Sequence, residues 1–132
     1  MKWIGLGIVL TGIATYCAWE WRESQIRTAN CGTWAAAMVI EYLRSHPQDV
    51  PDSWEDLLPY HAKIANDRGI AFSAKEVAER VRIDWGALKA RKGGSRSEGG
   101  IFFSRLPSAG TSWFPRHDPN QMIEDYFIDN GI

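Results

Sequence analysis

The sequence predicts an α+β protein in which an N-terminal transmembrane helix continues into a long amphipathic helix. Short helices, a small antiparallel sheet (a hairpin) and a C-terminal helix follow. Three observations support this: an uncharged run over residues 3–19, a proline-free stretch over 25–45, and alternating apolar and charged residues over 81–85. The chain has 132 residues, 45% of them apolar, which is enough for one domain beside an anchor.

The uncharged run at residues 3–19 is nearly long enough to cross a bilayer. As a helix it spans roughly 26 Å, close to the ~30 Å of a hydrocarbon core. Aromatic side chains, which favour the headgroup level, mark both edges: Trp3, Tyr16, Trp19 and Trp21. Lys2 and the amino terminus make the short side positive, which predicts a cytoplasmic N-terminus. We expect residues 1–22 to be an uncleaved anchor in the cell (inner) membrane and 23–132 to be one exported domain.

Three other interpretations of this run remain open. A cleaved signal peptide would use the small residues Gly12 and Ala14. A lipoprotein signal would modify Cys17, although Tyr16 stands where a small residue is needed. A buried core helix is the third alternative for a run of this length.

The amphipathic helix is predicted from apolar residues at helical spacing, and it should end near Ser45, just before Pro47. The anchor is expected to run into it with or without a break near Gly32. Its apolar stripe consists of Cys31, Trp34, Ala35, Met38 and Tyr42. Cys17 and Cys31 would lie roughly 21 Å apart on one helix, too far for a disulfide within the chain. We expect Cys31 to be a small buried apolar residue.

Capping signals predict the later helices. Capping boxes pair Asp52 with Glu55, Ser73 with Glu76, and Asp118 with Gln121. Pro59 is expected either to end the first of these helices or to open another that runs to Asp67. Pro119 and the Asn130-Gly131 pair are typical of the start and the end of a C-terminal helix.

Two strands are predicted after these short helices. Val81, Ile83 and Trp85 alternate with charged residues, and residues 101–106 form a second apolar run. A glycine-rich loop over residues 90–100 would join them as a hairpin.

Charge is divided unevenly along the chain. Residues 28–60 carry five acids and one base, whereas residues 61–100 carry nine bases and five acids. The net charge of the whole chain is −1, which argues against a nucleic-acid partner. The basic loop residues Arg91, Lys92 and Arg96 are candidates for contact with an acidic partner surface.

No pattern typical of an active site occurs in the sequence. His46, His61 and His117 are far apart and lack metal-binding spacing, and no phosphate loop or nucleophile elbow is found. We therefore expect no enzyme, no cofactor and no metal site. Trp54 and Trp85 are in phase with apolar neighbours and should pack in the core. Trp113 and Phe114 are the aromatic pair that we expect to contact a partner.

The segment from Val50 to Leu57 (VPDSWEDL), placed after the long N-terminal helix, resembles the layout of type IV pilin-like proteins and pseudopilins. The resemblance covers roughly residues 3–60 and implies a long helix that carries a small domain with an antiparallel sheet. The prepilin cleavage motif of that group is absent.

These features together predict a single-pass, membrane-anchored, non-enzymatic envelope protein. It would contact the bilayer through residues 3–19 and a protein partner through its exported domain. The alternative is a secreted or anchored module that binds a glycan or an acidic polymer after signal cleavage.

Overall fold

The structure is a computed structural model that describes residues 2–68, 72–94, 101–106, 113 and 118–132. Within these ranges the helices are α1 (Lys2–Ser45), α2 (Trp54–Arg68), α3 (Ala74–Arg80), α4 (Trp85–Lys92) and α5 (Pro119–Asp129). The strands are β1 (Val81–Ile83) and β2 (Phe103–Arg105), which pair antiparallel. Helices around a small antiparallel sheet agree with the predicted α+β class.

Helix α1 is unbroken over 44 residues. The apolar run therefore continues directly into the amphipathic helix, as predicted, and Gly32 introduces no break. At 1.5 Å per residue the helix is roughly 66 Å long. It ends at Ser45, as the following His46 and Pro47 predict.

The second part of α1 is the centre of the hydrophobic core. It packs against α2, α3, α5 and both strands. Its buried apolar residues are Cys31, Trp34, Ala35, Ala36, Ala37, Met38, Val39, Tyr42 and Leu43. The three consecutive alanines favour the helix and also let neighbouring backbones approach it closely. Around them lie Leu57, Ile64, Val77, Leu88, Phe102, Phe103, Ile123 and Phe127.

The sheet has two strands, with Val81 opposite Arg105 and Ile83 opposite Phe103. Val81 and Ile83 are buried and Arg82 is exposed, as alternation predicts. Asn120 of α5 ties the sheet to the C-terminal helix. Its Oδ1 accepts hydrogen bonds from the backbone N–H groups of Phe102 and Phe103 at 2.7 and 2.8 Å.

The connection between the strands differs from the predicted hairpin loop. Asp84 ends the strand and caps α4, its Oδ1 accepting from the N–H of Ala87 at 2.9 Å. Trp85 therefore begins a helix instead of extending β1, and residues 90–92 lie in that helix. The alternation over 81–85 predicts a longer strand than β1, because the capping aspartate Asp84 also fits the alternating pattern. Residues 95–100 of the predicted loop lie outside the described residues.

The predicted helix starts are correct to different degrees. Ser73 Oγ accepts from the N–H of Glu76 at 3.0 Å, as expected, and Asp118 caps α5 with Pro119 in its first turn. At α2 the carboxylate that accepts from the N–H of Asp52 belongs to Asp56 rather than Glu55. Gln121 donates to Asp125 rather than closing a capping box.

Pro59 lies inside α2 without ending it. The missing N–H of a proline removes one helical hydrogen bond. Leu57 and Ile64, on either side of it, are both buried and hold the two parts of α2 against the core. At the end of the chain, Asn130 caps α5 and Gly131 adopts φ +72°, as the Asn-Gly pair predicts.

Candidate functional site

The first part of α1, residues 4–22, has no protein core around it, and we call it the exposed segment. Every large apolar side chain in it is more than half exposed: Ile4, Leu6, Ile8, Val9, Leu10, Ile13, Tyr16, Trp19 and Trp21. A contiguous apolar surface of this kind marks contact with a membrane or another protein. Helix α1 is also long and apolar enough to cross a membrane, by length and composition.

Hydroxyl groups in the exposed segment are satisfied within the helix. Thr11 Oγ1 donates to the carbonyl of Gly7 at 2.8 Å, and Thr15 Oγ1 donates to the carbonyl of Thr11 at 2.9 Å. Polar groups that bond their own backbone in this way are compatible with an apolar surrounding. Tyr16, Trp19 and Trp21 lie at the end of the segment nearest the domain. The side chain of Trp3 lies outside the described residues.

Ion pairs fix α1 to the domain just beyond the exposed segment. The guanidinium of Arg27 pairs with both carboxylate oxygens of Glu76, with Nε–Oε1 and Nη2–Oε2 distances of 2.8 and 3.0 Å. Arg80 Nη1 donates to the Ser24 carbonyl at 3.2 Å and to Thr28 Oγ1 at 3.1 Å. Both contacts join α3 to α1, so they hold the helix at a defined angle where it leaves the domain.

A groove opens on α1 at this junction, and we call it the junction groove. It measures about 580 Å³ and is lined by Trp21, Arg22, Gln25, Ile26, Ala29, Arg105 and Trp113. Arg105 Nη1 donates to Gln25 Oε1 at 2.7 Å. Arg105 Nε and Trp113 Nε1 are buried without a hydrogen-bond partner in the described part of the chain. The described lining thus holds two arginines and no carboxylate.

Trp113 sits against the backbone of α1 at Gly32. A Cβ atom on Gly32 would overlap the indole ring and lie 2.8 Å from Cη2 of Trp113. The glycine therefore leaves the space that the ring occupies. The predicted partner residue Trp113 is partly buried against the core. Its predicted neighbour Phe114 lies outside the described residues.

Arg91, predicted in an exposed loop, is instead turned into the domain and only 4% exposed. Its Nη2 and Nε donate to Oε1 of Glu124 at 2.7 and 3.0 Å, and its guanidinium lies over the Phe127 ring. The hydrogen bonds that Arg91 donates to Glu124 raise the pKa of Arg91. The loop assignment of Arg91 is therefore wrong, because its carboxylate partner lies 33 residues away on α5, and little of its surface is left for a partner.

The other two basic candidates have different positions. Lys92 Nζ donates to the backbone carbonyl of Asp49 at 2.8 Å, so it too makes a contact within the chain. Arg96 lies outside the described residues.

The acidic and basic parts of the sequence meet within the domain. Lys63 Nζ lies 2.7 Å from Glu41 Oε2, and Lys89 pairs with Asp52. The hydrogen bond that Lys63 donates lowers the pKa of Glu41, and the same bond raises the pKa of Lys63. Part of the uneven charge in the sequence thus serves internal pairing rather than an external partner.

The cysteines and histidines make structural contacts. Cys31 is fully buried, and desolvation, with a further contribution from Glu76, raises its pKa to about 11. It is therefore a thiol at neutral pH and not an activated nucleophile. A ring nitrogen of His61 contacts the carbonyl oxygen of Phe72, and His46 stacks on Tyr42 with ring centroids 4.4 Å apart. His117 lies outside the described residues, and among those that are described no group of three His, Cys, Asp or Glu side chains is placed to hold a metal ion.

No pattern in the sequence singles out Arg22, Gln25 or Arg105. The available signal was Gly32, a residue without a side chain in the middle of an alanine-rich helical face. Such a position indicates the close approach of a large group, but the identity of that group depends on the tertiary fold.

Comparison with known proteins gives no matching family model, no similar curated protein and no similar solved structure. The resemblance to pilin-like proteins therefore stays a prediction from layout.

Proposed function

We propose that this chain is a single-pass membrane protein whose small extracytoplasmic domain acts, without catalysis, through contact with another envelope protein. The observation that carries the proposal is the continuity of α1. One unbroken helix has apolar side chains without protein contact at its start and forms the core of the domain further on. Residues 3–19 cross the inner membrane, with the N-terminus in the cytoplasm.

The junction supports a role that depends on position. Because Arg27 and Arg80 tie α3 to α1, the domain is held at a fixed angle to its anchor. From residue 22 to Ser45 the helix rises roughly 35 Å. A partner that contacts the domain would thus meet it at a defined height above the bilayer.

Three exposed apolar side chains of the domain are positions at which a protein partner can be tested. Leu58, Ile101 and Ile128 are each at least half exposed. A photo-crosslinking residue at position 58 or 128 is expected to give a discrete protein adduct in membranes. The same residue at position 75, where the exposed Lys75 is polar, is the matched control. Failure of positions 58 and 128 to give an adduct beyond the control would contradict the partner contact.

The anchor is tested by one charge in the exposed segment. Leu10→Arg places a cation at the centre of the proposed span, where insertion costs about 3 kcal/mol more than with an apolar residue. We expect wild-type protein and the control Leu10→Ala to stay in the pellet after alkaline extraction. Leu10→Arg should move largely to the soluble fraction.

Protease added to intact and permeabilised cells tests the orientation. The domain should be cleaved only from outside the inner membrane. A shortened wild-type band in the soluble fraction would instead identify a cleaved signal peptide and favour the alternative of a secreted binding module.

A further inference from the structure

The outward side of α2 is apolar at Trp54, Leu58, Pro59 and Ala62, and we call these four residues the α2 face. Leu58, Pro59 and Ala62 are exposed and Trp54 is half-buried, whereas their neighbour Leu57 is buried in the core. A helix on the surface of a domain ordinarily presents charged and polar side chains to solvent. A contiguous apolar row on its outward side is therefore typical of a contact surface.

Trp54 also joins the α2 face to helix α4. Its ring meets the ring of Trp85 edge to face, with ring centroids 5.9 Å apart and an interplanar angle of 87°. Both indoles are only partly buried against the core. Tryptophan is among the residues that contribute most to protein–protein binding, and its ring also attracts cations. The pair thus extends the apolar surface and offers an aromatic contact to a partner side chain.

The charges beside the α2 face are predominantly negative. Glu55 is exposed and has neither an ion pair nor a hydrogen bond among the described residues. Lys89 of α4 pairs with Asp52. The pKa of this ammonium group is raised, first by its hydrogen bond to Asp52 and further by the charges of Asp49 and Asp56. The Lys89 ammonium thus stands among three carboxylates, and Glu55 adds a fourth.

Two other lysines near this end of the domain do not neutralise Glu55. Lys63, in the middle of α2, pairs with Glu41 of α1 at 2.7 Å. Lys92 donates to the backbone carbonyl of Asp49 at 2.8 Å. A cation supplied from outside the chain would therefore complete the charge pairing beside the α2 face.

The α2 face lies far from the exposed segment, which spans the membrane under the proposed function, so the inference rests on that function. The ring of Tyr60, the residue after Pro59, lies 6.0 Å from the ring of Tyr42 on α1. From Arg22 to Tyr42 helix α1 rises roughly 30 Å. Lipid therefore does not reach the α2 face, and the occupant that fits this height is a protein.

We propose that the α2 face binds a basic, apolar segment of the envelope partner. Apolar side chains of this segment contact Leu58, Pro59 and Ala62. A lysine or arginine beside them pairs with Glu55 and lies against the Trp54 ring. The charge of this end of the domain selects the partner, because an acidic segment would meet like charges and be repelled.

Photo-crosslinking of the full chain in native membranes tests this inference. The crosslinking residue stands at position 58, and mass spectrometry of the adduct identifies the captured segment. That segment is expected to carry Lys or Arg within about one helical turn of apolar residues.

Variants at Glu55 test the charge contact. Glu55→Lys should lower the yield of the adduct about fivefold or more, because it opposes the partner's cation with a second cation. Glu55→Gln keeps the size of the side chain and should lower the yield about twofold, which separates loss of charge from misfolding. Glu79→Lys, an equal change of charge on the exposed side of α3, should give the wild-type yield.

Several outcomes would overturn the inference. These are a captured segment without a cation, equal yields from Glu55→Lys and Glu79→Lys, and capture of a lipid or of a second copy of this chain. A discrete adduct at position 128 without one at position 58 would also overturn it and leave the proposed function intact, because the partner would then use another face. Absence of an adduct at both positions would instead contradict the proposed function itself.

Discussion

The two parts of helix α1 have similar hydrophobic content but opposite surroundings. In the exposed segment, residues 4–22, every large apolar side chain is more than half exposed. From Ala29 to Leu43 nearly all of the apolar residues are buried by α2, α3, α5 and the sheet. The helix is continuous across the boundary, so the difference lies only in what surrounds it.

This difference shows that hydrophobicity along a helix does not determine which surface it will meet. The domain part carries three consecutive alanines and Gly32, small residues that admit neighbouring backbones and the Trp113 ring. In the exposed segment, added Cβ atoms at Gly5, Gly7 and Gly12 would touch nothing. One part of the helix is thus adapted to a protein core, and under the proposed function the other part is adapted to lipid.

The largest expected contrast comes from shortening one apolar side chain in each part. Met38→Ala removes a fully buried side chain and should lower the free energy of unfolding by about 3 kcal/mol, including the cost of the cavity. Leu6→Ala should leave the unfolding free energy of the domain unchanged, because Leu6 is 53% exposed and lies away from the core. Urea titrations in micelles, followed by tryptophan fluorescence, measure both. An equal loss of unfolding free energy in Met38→Ala and Leu6→Ala would show that the exposed segment contributes to the domain core.

A smaller contrast is expected from alanine at two glycines of the same helix. Gly32→Ala should destabilise the domain by about 1–2 kcal/mol, since the clash with Trp113 outweighs the gain in helix propensity. Gly12→Ala has the same propensity gain without the clash, so it should not destabilise. Thermal unfolding of the two variants isolates the Trp113 contact. If Gly32→Ala proved as stable as Gly12→Ala, the result would contradict the packing of Trp113 against α1 at Gly32.

The smallest effect concerns an ion pair of the domain part. Lys63 lowers the pKa of Glu41 below 4.5 in the folded protein. The contribution of the Glu41–Lys63 ion pair to stability is therefore complete above pH 4.5. It is lost as the pH falls through the lowered pKa of Glu41. The difference in unfolding free energy between wild type and Glu41→Gln should therefore narrow as the pH falls below 4.5. Urea unfolding at a series of pH values measures this difference. Lys63→Met should behave in the same way, and a difference independent of pH in both variants would contradict the assignment.

Features fixed by neighbouring residues could be predicted from the sequence. The end of α1 at Ser45, the caps at Ser73 and Asp118, and the burial of Val81 and Ile83 all depend on contacts within a few residues. The continuation of the apolar run into the amphipathic helix also followed from the local pattern.

Features that depend on distant residues could not be predicted in this way. The local sequence predicts that Arg91 is an exposed loop residue, because it does not show that Glu124 and Phe127 lie beside Arg91 in the fold. Pro59 is tolerated within α2 because both sides of it pack on the core. Likewise the junction groove combines residues 21–29 with Arg105 and Trp113, which are some eighty positions further along the chain.

Cysteine accessibility in intact membranes tests the division of α1 most directly. One variant keeps only Cys31, through Cys17→Ser. A second carries Val9→Cys together with Cys17→Ser and Cys31→Ala. A water-soluble maleimide should label neither variant in native membranes. Urea should expose Cys31 alone by unfolding the domain, and SDS should expose both positions. Labelling at position 9 in native membranes or in urea would contradict a membrane-embedded exposed segment.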